Sequence, residues 1–284
     1  MTWKHRLRAA VQKLLGLNLI NLRLDGLEAQ LGLLQKELEL ARRDLLDAGN
    51  LSRETSITLV SSAGPALHSI DHILPKGTVR DNTRWPRMAV WAEEQFGRKV
   101  RCMDLGCAGG GLVFDMVSAG HDAIGVEGSD LSAKFSRAEW GTIRNRLFVA
   151  DITKDFRLED TRTNGPAEFD LITAWEVLEH IPEELIPGLF ANVVRHLAPG
   201  GIFAASVATY EDADATTGMR WHQTVQPKSW WLAAIGRIAP GLAEVQGGWR
   251  VKDFPRGSGN PNIPWDWDAD ASPERGFHLV LRRA

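Results

Sequence analysis

The stretch RCMDLGCAGGGLVFDMVSAGHDAIGVEGSD, residues 101–130, decides the fold. A short apolar run, RCMDL, leads directly into a turn rich in glycine, and an amphipathic segment and a second apolar run, DAIGVEG, follow it. A strand that ends at Leu105 and turns at once into a helix near Gly110 leaves free backbone N–H groups at the carboxyl edge of a sheet. The stretch therefore predicts a strand–turn–helix–strand unit with a nucleotide-like ligand at that edge.

Further along the chain, apolar strand-like runs alternate with helical patterns. RLFVAD, FDLITAW and IFAASVA are strand-like, PEELIPGLFANVVRHLAPGG is helical, and the chain ends in the strand-like FHLVLRRA. Alternation of this kind is typical of a parallel sheet covered by helices on both faces. We therefore predict an α/β fold with a doubly wound sheet for residues 84–284, and a linker and lead-in at residues 51–83.

Residues 1–50 differ in kind from the rest, because leucine recurs at every seventh position with a second apolar position three places later. This heptad pattern predicts an α-helical coiled coil that joins copies of the chain into a homo-oligomer through residues 17–45. The alternative is a single amphipathic helix lying on the following domain. Residues 1–16 are basic with an apolar helical face, which suits either a peripheral membrane contact or a solvated start of the coiled coil. The heptad leucines are Leu17, Leu24, Leu31, Leu38 and Leu45.

Composition excludes several broad classes of protein. The chain has 284 residues, 44% of them hydrophobic and 24% charged, which is typical of a globular protein. A net charge of −3 argues against nucleic acid as the main partner, since phosphate binding relies on clustered Lys and Arg. The two cysteines, Cys102 and Cys107, are poorly placed to bridge each other, and no secretory signal is present, so we predict a cytoplasmic location.

Acidic residues around the glycine turn separate two classes of ligand. Asp104 precedes the first glycine by two residues, where it would repel the pyrophosphate of a nicotinamide dinucleotide and attract the cationic sulfonium and amino groups of S-adenosylmethionine. Glu127 closes the next strand, 21 residues after Gly106, where a carboxylate can accept hydrogen bonds from ribose hydroxyls. The pattern favours the methyl donor, and an NAD-dependent oxidoreductase that uses the same turn is the alternative.

Two later strands also end in residues suited to a ligand. Asp151 is placed to accept from an adenine amino group with Ile152 lying on the base, and Trp175 and Glu176 end the fourth strand at the same edge. A second interpretation exists for two of them: Asp151 as the cap of a following turn, and Trp175 as part of the core.

The segments DLGCAGG, VEGSD, VADIT, FDLITAWEVLEHI and LAPGG occur in an order and spacing that resembles class I S-adenosylmethionine-dependent methyltransferases, from about Arg84 to Ala208. The resemblance implies a Rossmann-like sheet of seven strands with an antiparallel last strand. Ala108 stands where the family often has glycine, and we expect Gly109 to supply the unusual backbone angle. The donor site implied by position comprises Asp104, Gly106, Cys107, Ala108, Gly110, Glu127, Gly128, Asp151, Ile152, Trp175 and Glu176.

Candidates for acceptor chemistry lie after the fourth and fifth strands. His180 and His222 are each a candidate base for a hydroxyl acceptor, although His180 is equally placed as a structural residue at a helix start. Glu176, Glu179 and His180 resemble a metal site found in some related methyltransferases, and we do not favour a metal. Residues 208–232, about where the family carries an acceptor-binding insertion, are rich in Trp.

Three functions remain open from the sequence. By analogy with enzymes that pair a coiled coil with such a domain, the leading acceptor is a sugar or glycan hydroxyl, followed by a small molecule such as a quinone precursor. A methyltransferase-like interaction module without turnover is the non-enzymatic alternative.

Overall fold

A computed structural model describes residues 50–51, 53–75, 77–245 and 275–284. The predicted coiled coil, with its oligomer contact at residues 17–45, and the predicted membrane contact at residues 1–16 lie outside these residues. Within the described residues, no helix has the length and apolar character needed to cross a membrane.

In the part of the chain that the structure describes, ten strands form two sheets. The larger sheet has the order β4-β3-β2-β7-β8-β10-β9, and the smaller one has the order β1-β5-β6. The strands are β1 Ile57–Ser61, β2 Arg101–Leu105, β3 Asp122–Glu127, β4 Leu147–Val149, β5 Arg157–Asp160, β6 Gly165–Pro166, β7 Phe169–Trp175, β8 Leu197–Ala208, β9 Leu242–Glu244 and β10 Gly276–Arg283. In the larger sheet β2 pairs in parallel with β3 and β7, β3 with β4 and β7 with β8, whereas β10 is antiparallel to both β8 and β9. The predicted seven-stranded sheet with an antiparallel last strand is confirmed.

Helices cover this sheet between the strands. They are α1 Ile70–Ile73, α2 Pro86–Phe96, α3 Gly111–Ser118, α4 Leu131–Lys134, α5 Ile186–His196 and α6 Lys228–Ile238, with short 3-10 helices at Ala138–Gly141, Arg144–Arg146, Leu178–His180 and Glu183–Leu185. Proline near the start of α2 and of α5 fits the first helical turn, where its missing N–H is not needed.

Alternation along the central strands explains why both faces of the sheet are buried. Met103 lies beside Ile124 on one neighbouring strand and Ile172 on the other, and all three belong to the apolar cluster of one face. Cys102, one residue earlier, belongs to the cluster of the other face. Since successive side chains of a strand point to opposite faces, a near-continuous apolar run fills two layers of core. This geometry leaves the strand ends as the place for polar residues.

Residues 53–83 are more than the linker and lead-in that the sequence suggested. β1 pairs antiparallel with β5, the Ala66 N–H donates to the Gly128 carbonyl at 2.8 Å, and the Gly64 carbonyl accepts from the Asp151 N–H at 2.7 Å. Residues 66–75 and 77–83, which we call the cover segment, therefore cross the carboxyl ends of β3 and β4. Backbone hydrogen bonds of this kind leave no signature in side-chain periodicity, so the sequence did not reveal them.

The predicted insertion at about 208–232 divides into two parts. Residues 209–227 connect β8 to α6 and contain one isolated bridge, between Ala213 and Arg220. Residues 228–232 belong to α6, where Trp231 is fully buried in the core and Trp230 packs against it. Core packing therefore accounts for this tryptophan pair, while a role of the connection in acceptor binding stays a prediction.

Candidate functional site

A cavity of about 260 Å³ lies at the carboxyl ends of β2, β3 and β7, under the cover segment. This is the edge at which doubly wound sheets collect their ligands. Gly110, alone among the eleven residues predicted for the donor site, does not line the cavity. The ten that line it are Asp104, Gly106, Cys107, Ala108, Glu127, Gly128, Asp151, Ile152, Trp175 and Glu176.

Glycine is required at both ends of the turn between β2 and α3. Gly106 has φ +70°, and a Cβ built on it would lie 2.5 Å from Cγ2 of Val177. Gly110 caps α3 with φ +85°, and its Cβ would lie 2.8 Å from Cδ1 of Leu147. Both positions need a left-handed backbone and close packing, which only glycine supplies at low cost. Gly110 therefore shapes the turn from outside the cavity.

The expectation that Gly109 supplies the unusual backbone angle is wrong. Ala108 itself adopts φ +43°, while Gly109 is not among the glycines with positive φ. Two hydrogen bonds hold Ala108 in place: its N–H donates to Oε2 of Glu127 at 2.8 Å, and its carbonyl accepts from Nε1 of Trp140 at 2.8 Å. Position 109 requires glycine for lack of space, because a Cβ there would lie 2.5 Å from Oδ1 of Asn82.

Replacing Ala108 by glycine is expected to raise the free energy of unfolding by about 0.5–1 kcal/mol, because the cost of a left-handed L-residue disappears while the unfolded chain gains some freedom. Urea unfolding followed by circular dichroism measures the change. Ala119→Gly is the matched control, since Ala119 has φ −76° and glycine brings no relief there. Equal destabilisation by both substitutions would show that Ala108 carries no strain.

Two buried carboxylates stand beside the turn. Glu127 accepts from the Ala108 N–H through Oε2 and from the Ser129 N–H through Oε1 at 2.9 Å. Burial raises the pKa of Glu127, and these two backbone hydrogen bonds act against the rise. Asp104 accepts from Oγ1 of Thr173 at 2.7 Å, and burial raises the pKa of Asp104 to about 7. Each carboxylate keeps lone pairs that can accept from a ligand.

Asp151 and Trp175 each have a structural role as well as a place in the cavity wall. Oδ1 of Asp151 accepts from the backbone N–H of Thr153 at 2.9 Å and from its hydroxyl at 2.6 Å, so the turn-capping interpretation holds for this oxygen. Trp175 meets Trp85 edge-on with ring centroids 5.5 Å apart and packs on the core. Both residues still line the cavity.

Glu176 directly follows β7 in a strained conformation, with φ +52°. Its N–H donates to the hydroxyl of Ser206 at 3.0 Å, which ties this backbone to β8. Non-glycine residues in the left-handed region cost about 1–3 kcal/mol and cluster at ligand sites. In this conformation Glu176 lines the cavity.

His180 lies in the 3-10 helix after β7, with Nδ1 3.0 Å from Oδ2 of Asp71 in the cover segment. Burial by itself would lower the pKa of His180, but the hydrogen bond and charge of Asp71, together with Glu179 and Glu176, raise it to about 9. The raised pKa means that His180 gives up its proton only above neutral pH. No sequence motif marks Asp71, which is 109 residues upstream.

His222 packs edge-on against His180, with ring centroids 4.9 Å apart. Its Nδ1 donates to the carbonyl of Tyr210 at 2.6 Å, and burial lowers the pKa of His222. The structure therefore brings together the two histidines that the sequence proposed separately as bases. In each of them Nδ1 forms the hydrogen bond described above, and Nε2 is the other ring nitrogen.

Glu179, His180 and His222 form a group that could hold a metal ion, with one ligand atom from each within 4.8 Å of the others. Oε1 of Glu179 accepts from the Ala208 N–H at 3.0 Å, whereas the buried Oε2 has no hydrogen-bond partner. An oxygen and two imidazole nitrogens suit several divalent cations. Glu176, which the sequence grouped with Glu179 and His180, is outside this set, and His222 takes its place.

Comparison with known proteins gives one family. A family model described as a methyltransferase domain matches residues 69–233. Ubiquinone biosynthesis O-methyltransferase of Thiobacillus denitrificans is 32% identical over 108 residues, which are 37% of this chain and 42% of the relative. The enzyme of the same name from Azoarcus sp. is 36% identical over 109 residues, with the same two shares. The match thus spans less than half the length of these curated relatives.

Among solved structures, 1,6-didemethyltoxoflavin-N1-methyltransferase of Burkholderia thailandensis is similar with a TM-score of 0.48 and 15% identity, over 80% of this chain and 95% of that one. The family match covers more than half of the chain and includes most of the cover segment, the glycine turn and both histidines. The chain therefore belongs to the methyltransferase-domain family.

Proposed function

We propose that this protein transfers a methyl group from S-adenosylmethionine to a phenolic hydroxyl of a small molecule. The observation that carries the proposal is the pair Asp71–His180 at the wall of the cavity, with Nδ1 of the imidazole bonded to the carboxylate. A histidine held in this way presents Nε2 as a proton acceptor, because the carboxylate fixes the tautomer and stabilises the imidazolium.

The choice of a phenol over the sugar hydroxyl favoured by the sequence follows from acidity. A phenol has a pKa of about 10, close to the pKa of about 9 of His180. Proton transfer between groups of similar pKa is efficient, whereas a sugar hydroxyl is a far weaker acid. The names of the curated relatives, ubiquinone biosynthesis O-methyltransferases, also support an O-methyl transfer to a small molecule.

Other residues around the cavity have the role of binding the methyl donor. S-adenosylmethionine supplies, when bound, a methyl group on a positively charged sulfur. Glu127 accepts from the ribose hydroxyls, Asp104 favours the cationic amino group, and Asp151 with Ile152 holds the adenine. Holding both partners in line is the main requirement of such a transfer and can supply about 7–11 kcal/mol of barrier lowering.

The experiment is a methyl-transfer assay with labelled donor and two classes of acceptor. Purified full-length protein is given 4-methylcatechol or methyl glucoside, with calorimetric binding of S-adenosylhomocysteine as the check on the donor site. We expect transfer to the catechol oxygen only. If the protein binds the donor but methylates only the glycoside, the proposed phenolic acceptor is wrong and a sugar hydroxyl is the acceptor. If it binds the donor and methylates neither compound, the result favours an interaction module without turnover.

A divalent cation is the second candidate for the group Glu179, His180 and His222, and the observation that favours it is the unpartnered Oε2 of Glu179. With His180 acting as the base, dialysis against EDTA is expected to leave kcat within about twofold, since deprotonation then needs no metal. A drop of tenfold or more that Mg²⁺ or Mn²⁺ restores, and that is absent in Glu179→Gln, would assign the group to a cation instead.

A further inference from the structure

The walls of the cavity are rich in carboxyl groups. Among the described residues that line it, the only side chains able to carry a positive charge are the histidines His68, His72 and His180, with no lysine or arginine. The carboxylates that line it are Asp71, Asp81, Asp104, Glu127, Asp151 and Glu176. The donor uses part of this set, because its sulfonium and amino groups are cations.

Three of these carboxylates, Asp71, Asp81 and Glu176, interact with His180, the proposed base. Asp71 touches His180, and Asp81 is in electrostatic contact with Asp71, Glu176 and His180. A proton on His180 and the charge of Arg137, both of which act on Asp81, offset part of this negative charge. Arg137 lies outside the cavity lining and donates to the backbone carbonyls of Thr78 and Asp81 at 2.5 and 2.8 Å. Around His180 the three carboxylates therefore still outnumber these two cations.

Resting on the function proposed above, we infer that the acceptor is a neutral or positively charged phenol, and that Asp81 helps to exclude acceptors carrying a carboxylate, phosphate or sulfate. An anion that enters this cavity meets several like charges in a partly desolvated space, where repulsion is weakly screened. Discrimination of this kind acts by repelling the wrong ligand rather than by adding contacts to the right one. Nucleotide-activated sugars and carboxylated aromatic acids are excluded by the same rule.

The test uses three acceptors that share a catechol ring and differ in charge: 4-methylcatechol, dopamine and 3,4-dihydroxybenzoate. Their kcat/KM with labelled donor and their calorimetric affinity for the protein loaded with S-adenosylhomocysteine are measured with EDTA at low and high salt. We expect the benzoate to be about 10- to 30-fold worse than 4-methylcatechol at low salt, and dopamine equal or better. High salt is expected to reduce this difference between the benzoate and 4-methylcatechol, because it screens the charges.

Asp81→Asn is the decisive variant, because it removes one charge and keeps the shape of the side chain. The gap between the neutral and anionic catechols is expected to shrink about threefold to tenfold in this variant. Glu159→Gln, at an exposed position of β5, is the matched control and leaves the gap unchanged.

Two results would overturn the inference: equal or tighter binding of the benzoate than of 4-methylcatechol to the loaded protein, or a gap that Asp81→Asn leaves intact. Because the affinity measurement needs no turnover, the inference is tested even if none of the catechols is methylated. That last outcome counts against the proposed phenol transfer, whereas normal turnover with an anion preference counts against the inference alone.

Discussion

Replacing His180 by alanine is expected to lower kcat for a phenolic acceptor by about 10²- to 10⁴-fold, the range for loss of a general base. The affinity for S-adenosylhomocysteine is expected to stay within about twofold, because the carboxylates proposed to hold the donor are untouched. The expected loss of rate without loss of donor binding assigns the residue to the acceptor side. Stopped-time assays with labelled donor and calorimetry on the same preparation measure both quantities.

The pH profile adds a readout that a merely structural role for His180 would not move. A base must be unprotonated to accept a proton, and the pKa of His180 is raised to about 9. Below that pH, kcat is expected to rise about tenfold per unit and to level off above it. Asp71→Asn removes the hydrogen-bonding carboxylate that raises this pKa, so the rising limb is expected to move to lower pH.

Two outcomes would remove His180 from the chemistry. One is a variant, His180→Gln, that keeps normal kcat while His222→Gln loses it; the base would then be His222. The other is a profile of the natural protein that is flat between pH 6 and 9, because no group with a pKa near 9 would then limit the rate.

The features that the sequence predicted well are those that the backbone fixes locally. Strand and helix periodicity, together with the glycines at 106 and 110, require a tight turn after β2 whatever surrounds it. Carboxylates that follow parallel strands then meet at one edge by topology alone. Asp104, Glu127 and Asp151 therefore lie around one cavity, as the sequence implied.

The features that the sequence missed depend on segments that meet only in the folded chain. Asp71 reaches His180 because backbone hydrogen bonds draw the cover segment over β3 and β4, and nothing in the local sequence records those bonds. Ala108 takes a positive φ next to a glycine, and its N–H and carbonyl are held by Glu127 and Trp140, which lie far from it in the sequence. Local propensity favours Gly109, and tertiary packing overrides it.

Replacing Glu127 by alanine is expected to weaken binding of S-adenosylhomocysteine by about 10- to 150-fold, which corresponds to about 1.5–3 kcal/mol for hydrogen bonds to a charged group. The Glu127 side chain has two roles, and the substitution by alanine removes both. Its oxygens hold the N–H groups of Ala108 and Ser129, and so fix the turn, and their remaining lone pairs are proposed to accept from the ribose. Calorimetric titration of the full-length protein measures the change.

Two further variants distinguish the loss of these hydrogen bonds from the mere loss of a negative charge. Glu127→Gln keeps one oxygen acceptor and the length of the side chain, so we expect it to fall between the natural protein and Glu127→Ala. Glu159→Ala removes an equal charge from an exposed position of β5 and is expected to leave the affinity unchanged. If Glu127→Ala unfolds at the same temperature as the natural protein and binds S-adenosylhomocysteine equally well, the ribose is held elsewhere, and the cavity at the ends of β2 and β3 loses its assignment as the donor site.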